Sequence, residues 1–131
     1  MLLDTSGLLC LHHRAEPYHA QAVEAYRGAA RRLTHGYVLA EFVALASARG
    51  LPRGPALTFI GDLADNPDID KVWVDQQLHD RAMELLIERE DKRYSLCDAV
   101  SFVLMREAGI DEALTTDHHF EQEGFRRLLI P

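Results

Sequence analysis

Apolar positions along this chain fall into short runs that switch between a period of two and a period near 3.6. Residues 1–4 form a brief apolar run that stops on Asp4, which predicts a short buried strand. Thr5 and Ser6 then offer N-caps for a short helix through Leu8, Leu9 and Leu11. The spacing predicts a helix over about 18–30 with Ala22, Val23 and Tyr26 inward, then a short strand at 33–35. Residues 38–48 are apolar nearly all round and predict a helix buried on most faces. Gly50 to Pro55 breaks the chain, and Pro52 or Pro55 starts a helix to about Ala64 with Leu57, Ile60 and Leu63 inward. Asp62, Asp65, Asp68 and Asp70, around Asn66-Pro67, mark a turn and a solvated face.

A strand is predicted at 69–74, where Val72 and Val74 alternate against Lys71 and Trp73. Asp75 caps a long amphipathic helix to about Glu90, with Leu78, Ala82, Leu85 and Leu86 as its stripe. Residues 95–105 open a further helix into the core through Leu96, Val100, Val103 and Leu104. After Gly109, residues 113–117 predict another buried strand ending on an acid, Asp117. A short helix from His118-His119-Phe120 to about Gly124 and a last strand at 125–130 complete the chain. Strands alternating with helices predict an α/β fold in three layers, a central parallel sheet flanked by helices.

Length and composition narrow the class. A chain of 131 residues, 47% apolar, fits a single globular domain spanning 1–131 and excludes disorder. No apolar run approaches the roughly 20 residues that cross a bilayer. The start has no basic leader, so no secretory signal is expected. Cys10 and Cys97 are far apart in apolar surroundings and are expected as buried thiols, with a cytoplasmic setting as the default. The net charge of −7 taken alone argues against a nucleic-acid binder, since phosphate contacts need Lys and Arg. The bases do cluster locally, at Arg31-Arg32, Arg49 with Arg53, Lys92-Arg93 and Arg126-Arg127, though each cluster suits an ordinary solvated face. Bound divalent cations would also reverse the local sign.

Isolated acids carry the candidate chemistry. Asp98 is the only charge between Tyr94 and Arg106. It fits a capping box with Ser95 as N-cap, and it equally fits a functional carboxylate in an apolar helix. Glu41 is the only charge in its helix, and function is favoured there because buried charges are paired or bind metal. Asp4 and Asp117 end strands, the position where α/β sheets hold ligands. His12, His13 and His19 match no metal-binding helix signature, and His118-His119 are not expected to form a metal site because adjacent helical residues do not face each other. Gathered carboxylates repel, and so raise their own pKa values or recruit cations. All-oxygen ligands select hard ions such as Mg2+ or Mn2+. Two such ions about 4 Å apart can activate water and stabilise the leaving oxygen of a phosphodiester.

The chain resembles the PIN-domain family, in particular VapC-type toxin ribonucleases of toxin–antitoxin pairs. The resemblance rests on Leu3-Asp4-Thr5-Ser6, Leu39-Ala40-Glu41, Ser95-Leu96-Cys97-Asp98-Ala99 and Leu114-Thr115-Thr116-Asp117-His118-His119-Phe120, in order over essentially the whole chain. It implies a parallel sheet of about five strands and Mg2+- or Mn2+-dependent cleavage of an RNA substrate. Asp4, Glu41, Asp98 and Asp117 fall on the family's acidic positions and are the expected catalytic and metal-holding residues. Thr115 matches a hydroxyl residue near the last acid, and Ser6 and Ser95 would orient carboxylates. The resemblance also implies a small cognate antitoxin protein and a homodimer. The alternative is a catalytically silent PIN-like module that binds RNA or a partner. A phosphatase on a Rossmann-like sheet would want a second Asp two residues after the nucleophile, and Ser6 stands there instead.

Overall fold

In the computed structural model, which describes residues 1–131, five short strands and seven helices alternate along the chain. They are β1 (Leu2–Leu3), α1 (Thr5–His12), α2 (His19–Gly28), β2 (Leu33–His35), α3 (Gly36–Ala48), α4 (Arg53–Asp65), β3 (Asp70–Val72), α5 (Gln76–Glu88), α6 (Leu96–Ala108), β4 (Glu112–Leu114), α7 (His119–Gln122) and β5 (Arg126–Arg127). The sheet order is β3-β2-β1-β4-β5, and every pairing is parallel.

Alternation along the strands divides the interior in two. Leu3 and Leu114 enter one apolar cluster with Leu8, Leu9, Val38, Phe42 and Ile60, from α1, α3 and α4. Their neighbours Leu2 and Ala113 enter a second cluster with Leu78, Ala82, Val100, Phe102 and Met105, from α5 and α6. Successive side chains of a strand point to opposite faces, so a two-residue step is enough to send one leucine to each core. The central sheet is thus covered by helices, the arrangement that buries an all-parallel sheet. No helix is long and apolar enough to cross a membrane. Cys10 and Cys97 are free and buried, as their surroundings in the sequence suggested.

Three local expectations are corrected. Asp4, rather than Thr5 or Ser6, stands at the N-cap of α1. Helix α3 is not buried on most faces: Val38, Leu39, Phe42 and Ala46 point inward, while Ala40, Glu41, Ala44 and Ser47 are exposed. Its outer face is made largely of alanines, which count as apolar in a pattern but tolerate water. Leu57 of α4 is 42% exposed, and Ala56 takes the inward position instead. Ile60 and Leu63 are buried as expected, so only the first position of the stripe shifts.

One glycine sets how closely two elements approach. A Cβ on Gly7 of α1 would meet the carbonyl oxygen of Leu114 at 2.0 Å and its carbonyl carbon at 2.7 Å. Only a residue without a side chain lets the first turn of α1 lie against the end of β4.

Candidate active site

Strand β1 lies between β2 and β4, the point where the sheet's strand order changes direction. Ligands of open parallel sheets bind outside the carboxyl ends of the strands at such a point. Asp4 is the first residue beyond β1 and is 4% exposed. Its amide donates to the Leu114 carbonyl (3.2 Å), and its own carbonyl accepts from Leu8 in the first turn of α1 (2.9 Å). Although Asp4 is the N-cap, its side chain makes no capping bond. The carboxylate instead accepts from the Thr115 hydroxyl at 2.7 Å and from Ser6 at 3.4 Å.

A small hydroxyl network fixes the end of β4 around this acid. Ser6 Oγ lies 3.1 Å from Thr115 Oγ1 and accepts from the Thr116 amide (3.0 Å). Thr115 Oγ1 accepts from the Asp117 amide (3.0 Å), and Asp117 Oδ1 accepts from the His119 amide (2.9 Å). The close approach at Gly7 is what brings Ser6 within reach of Thr115 and Thr116.

Asp98 enters from α6, 7% exposed. It serves both readings of the sequence at once. Ser95 Oγ accepts from the Asp98 amide and Asp98 Oδ2 accepts from the Ser95 amide, each at 3.0 Å, which completes a capping box. The same Asp98 Oδ2 lies 3.3 Å from His119 Nδ1, and that nitrogen is also 3.3 Å from Asp117 Oδ1. A ring nitrogen facing two carboxylates carries the proton.

The electrostatics distinguish these acids from ordinary ones. The Asp4 carboxyl is raised from 3.8 to about 7, chiefly by burial and in smaller part by the charges of Asp98 and Glu41, against the Thr115 hydrogen bond, which pulls the other way. Asp98 is raised by burial and by Asp117, against the Ser95 amide and His119. Asp4 pairs with no Lys, Arg or His, and Asp98 has only His119. Cys97 sits beside the same acids, and burial, with the charges of Glu41, Asp4 and Asp98, holds its thiol far above the usual range.

Six of the seven residues singled out in the sequence meet here: Asp4, Ser6, Ser95, Asp98, Thr115 and Asp117. Glu41 differs. It is exposed on α3 rather than buried, yet near enough for its charge to be felt by Asp4 and Cys97. The burial argument for Glu41 therefore fails, because it treated the alanine face of α3 as buried. His119 was missed, and the premise that His118 and His119 face apart does not hold. His118 is the N-cap of α7, outside the regular helix, and the two rings lie 4.5 Å apart. With Asp117 they offer three ligand atoms within 4.8 Å of one another. Helical spacing could not reveal this, because it does not apply across a helix boundary. Gly7 was also missed; a glycine in the first turn of a helix is the one signal the sequence carried.

The donor set suits a hard dication. It consists of carboxylate oxygens with an imidazole alongside, and it includes a fully buried acid with no cation to offset it.

Known proteins carry the same architecture. The family model described as "PIN domain" matches residues 1–125. A protein named 23S rRNA-specific endonuclease VapC20, from two strains of Mycobacterium tuberculosis, is 31% identical over 113 residues, spanning 79% of this chain and 85% of that protein. The crystal structure of Mycobacterium tuberculosis VapC20, titled a sarcin-ricin loop cleaving toxin, superimposes with a TM-score of 0.87 at 26% identity, covering 95% of each chain. With a domain match over nearly its whole length and buried acids at the switch point of the sheet, the chain belongs to the PIN domain family.

Proposed function

We propose that this protein is a metal-dependent endoribonuclease of the VapC toxin type that hydrolyses RNA phosphodiester bonds with Mg2+ or Mn2+. The observation that carries this reading is the pair Asp4 and Asp98, buried together at the switch point with no Lys or Arg to neutralise them. The 31% identical relative named as a 23S rRNA-specific endonuclease supports RNA as the substrate class, with ribosomal RNA first to be tried.

Asp4, Asp98, Asp117 and Glu41 would hold the cation, which supplies Lewis-acid stabilisation of charge on the phosphate and lowers the pKa of bound water. Thr115 and Ser6 aim the Asp4 carboxylate, and the Ser95 amide aims Asp98. His119 bridges Asp98 and Asp117 and so fixes the distance between α6 and the end of β4. Glu41, exposed on the rim, would complete the acid set on the solvent side, and one of these acids would take the proton from the attacking water. The water oxygen would bond to phosphorus as the P–O bond to the 3′ oxygen breaks, and that oxygen would take up a proton from solvent to leave as a hydroxyl. Arg93 is exposed, makes no ion pair and lies two residues before Ser95, which suits it to a substrate phosphate. A small inhibitory antitoxin protein and a homodimer are the partners that the VapC resemblance supports.

The test is cleavage of purified RNA with added Mg2+ or Mn2+ by the protein and by Asp98→Asn. The variant should retain its thermal transition and lose cleavage by about 10³-fold, the scale of removing a group that acts on transition-state charge. Wild-type rates in the variant would remove Asp98 from the site.

A further inference from the structure

The rim that holds the acids continues past them onto the next two strands. Leu2 pairs with Leu33 and His35 with Val72, so Asp4, His35 and Val72 stand abreast across the sheet. The residues just beyond are Gly36 and Tyr37 after β2, and Trp73 after β3. Trp73 is 67% exposed. Its indole is nevertheless held in place: a Cβ on Gly36 would come within 3.1 Å of indole Cε3, so the ring packs over the bare Cα of that glycine. Tyr37 is anchored by a 2.7 Å hydrogen bond between its hydroxyl and His79 Nδ1, with the two rings 6.1 Å apart. A solvent-facing indole, seated on Gly36, therefore follows the strand that lies two strand spacings, about 10 Å, from the Asp4 position.

The charge of the protein makes this surface significant. At −7, with eight of its fourteen Lys and Arg side chains paired with carboxylates, the chain leaves a minority of its cations, Arg93 among them, for phosphates. Contacts to the bases would add to the affinity that these remaining cations supply. Unpaired bases stack on aromatic side chains regardless of sequence, and a ring already held in place loses little entropy on stacking. Resting on the endoribonuclease reading above, we propose that Trp73, backed by Gly36, is a stacking platform for an unpaired nucleobase of the RNA strand whose phosphate lies at the acids.

Trp73 is the only tryptophan in the chain, so intrinsic fluorescence reports on it alone. The non-cleaving Asp98→Asn protein is titrated with a labelled single-stranded oligoribonucleotide and with an abasic oligomer of equal charge. Label anisotropy follows binding and indole emission follows stacking. The expected result is quenching by the base-bearing strand and none by the abasic one. In the active protein, Trp73→Ala should raise KM for single-stranded RNA about tenfold, with kcat and Mn2+ affinity near their original values and Trp73→Phe restoring most of the loss. Binding by anisotropy with unchanged indole emission would overturn the platform while leaving the nuclease reading intact. No binding and no cleavage of any RNA would overturn both. An emission shift that follows protein concentration alone, or appears only with an added protein partner, would assign Trp73 to a protein interface and also overturn the proposal.

Discussion

Two buried acids of this protein have opposite surroundings. Glu123, just after α7, has a side chain only 3% exposed. Arg89 Nε reaches it at 3.0 Å, Arg106 at 2.6 Å, and the Tyr94 hydroxyl donates to it at 3.1 Å. Burial pushes its carboxyl up, but the two guanidiniums outweigh that, and its pKa ends below the ordinary value. Asp4, equally inaccessible, has two hydroxyls, a neighbouring Asp98 and no base, and its pKa ends near 7. The same chain therefore builds a neutralised carboxylate where α5, α6 and α7 meet and leaves a carboxylate unneutralised at the end of β1. A buried charge without a partner is costly, so its retention points to a partner from outside the chain.

Exchanging the charge at each place should separate the two roles most sharply. Asp4→Asn should reduce RNA cleavage by about 10³-fold or more while leaving the metal-free protein as stable as before or more so, since the Thr115 bond can persist and the buried charge is gone. Glu123→Gln should do the reverse. Cleavage per folded molecule stays within a few-fold, and stability falls by about 2 kcal/mol. That is less than the roughly 3–5 kcal/mol of fully buried pairs, because Arg89 and Arg106 are 38% and 45% exposed and can regain water. Denaturant unfolding with parallel activity assays reads both; loss of stability in Asp4→Asn and loss of activity in Glu123→Gln would invert the comparison.

A contact at the acid end that involves no charge is tested by Gly7→Ala. The added methyl meets backbone atoms of Leu114 rather than a movable side chain. Helix α1 must retreat from β4, and Ser6 and Asp4 move with it. The expected cost is about 1–3 kcal/mol, the range for overpacking, with a marked fall in Mn2+ affinity and with the Glu123 ion pairs unaffected. Calorimetric titration with Mn2+ at a temperature where the variant is folded checks it; unchanged affinity would show that the α1–β4 contact does not set the site.

How much of this was legible in the chain follows from which signals are local. Strand-then-acid at Asp4 and the capping box at Ser95 are short-range patterns, and the structure retains both; at Asp117 the strand ends early, at Leu114, and the acid stands three residues beyond it. The strand at 33–35 has the expected bounds, and the other four are shorter than expected, because ladder pairing extends over only two or three residues in each. What could not be read is contact between distant segments: Gly7 against Leu114, and His119 between Asp98 and Asp117. Glu41 shows the opposite failure. Its helix looked buried because alanine and leucine count alike in a periodicity, and only packing separates them. The Glu123 cluster was invisible for the same reason, since its partners lie 17 to 34 positions away.

The pH dependence should also run in opposite directions at the two acids. The Glu123 pKa is lowered on folding, so its contribution is present above the ordinary glutamate range and is lost as pH falls through the folded value. The Asp4 pKa is raised, from 3.8 to about 7, so between these values the folded state holds the extra proton. Stability contributed by the protonated form is full below about 3.8 and lost as pH rises to about 7, a change of a few kcal/mol. Without metal, the difference in melting temperature between the protein and Asp4→Asn should therefore shift in favour of the variant as pH rises from 5 to 8. With saturating Mn2+ the trend should reverse, because the ligand must be deprotonated and binding releases the proton. A difference that ignores both pH and Mn2+ would mean that Asp4 is not the ligand.

The smallest expected effect tests the double role of Asp98. If Asp98 were only half of a capping box, Ser95→Ala and Asp98→Asn would be equivalent lesions of one helix start. Each would cost about 1 kcal/mol, and cleavage by the folded fraction would be untouched. If Asp98 also serves the site, the two separate. Ser95→Ala removes the hydroxyl that accepts from the Asp98 amide, but it keeps the backbone amide that donates to Asp98 Oδ2. The carboxylate stays aimed at His119, so stability falls by about 1 kcal/mol and kcat by no more than a few-fold. Asp98→Asn keeps an acceptor oxygen for the same amide, so its stability cost should be the smaller of the two and its catalytic cost far the larger. The ratio of activity loss to stability loss, compared between these two substitutions three residues apart, thus decides whether the helix start is a cap that happens to lie near the acids or one that holds an acid in place for them.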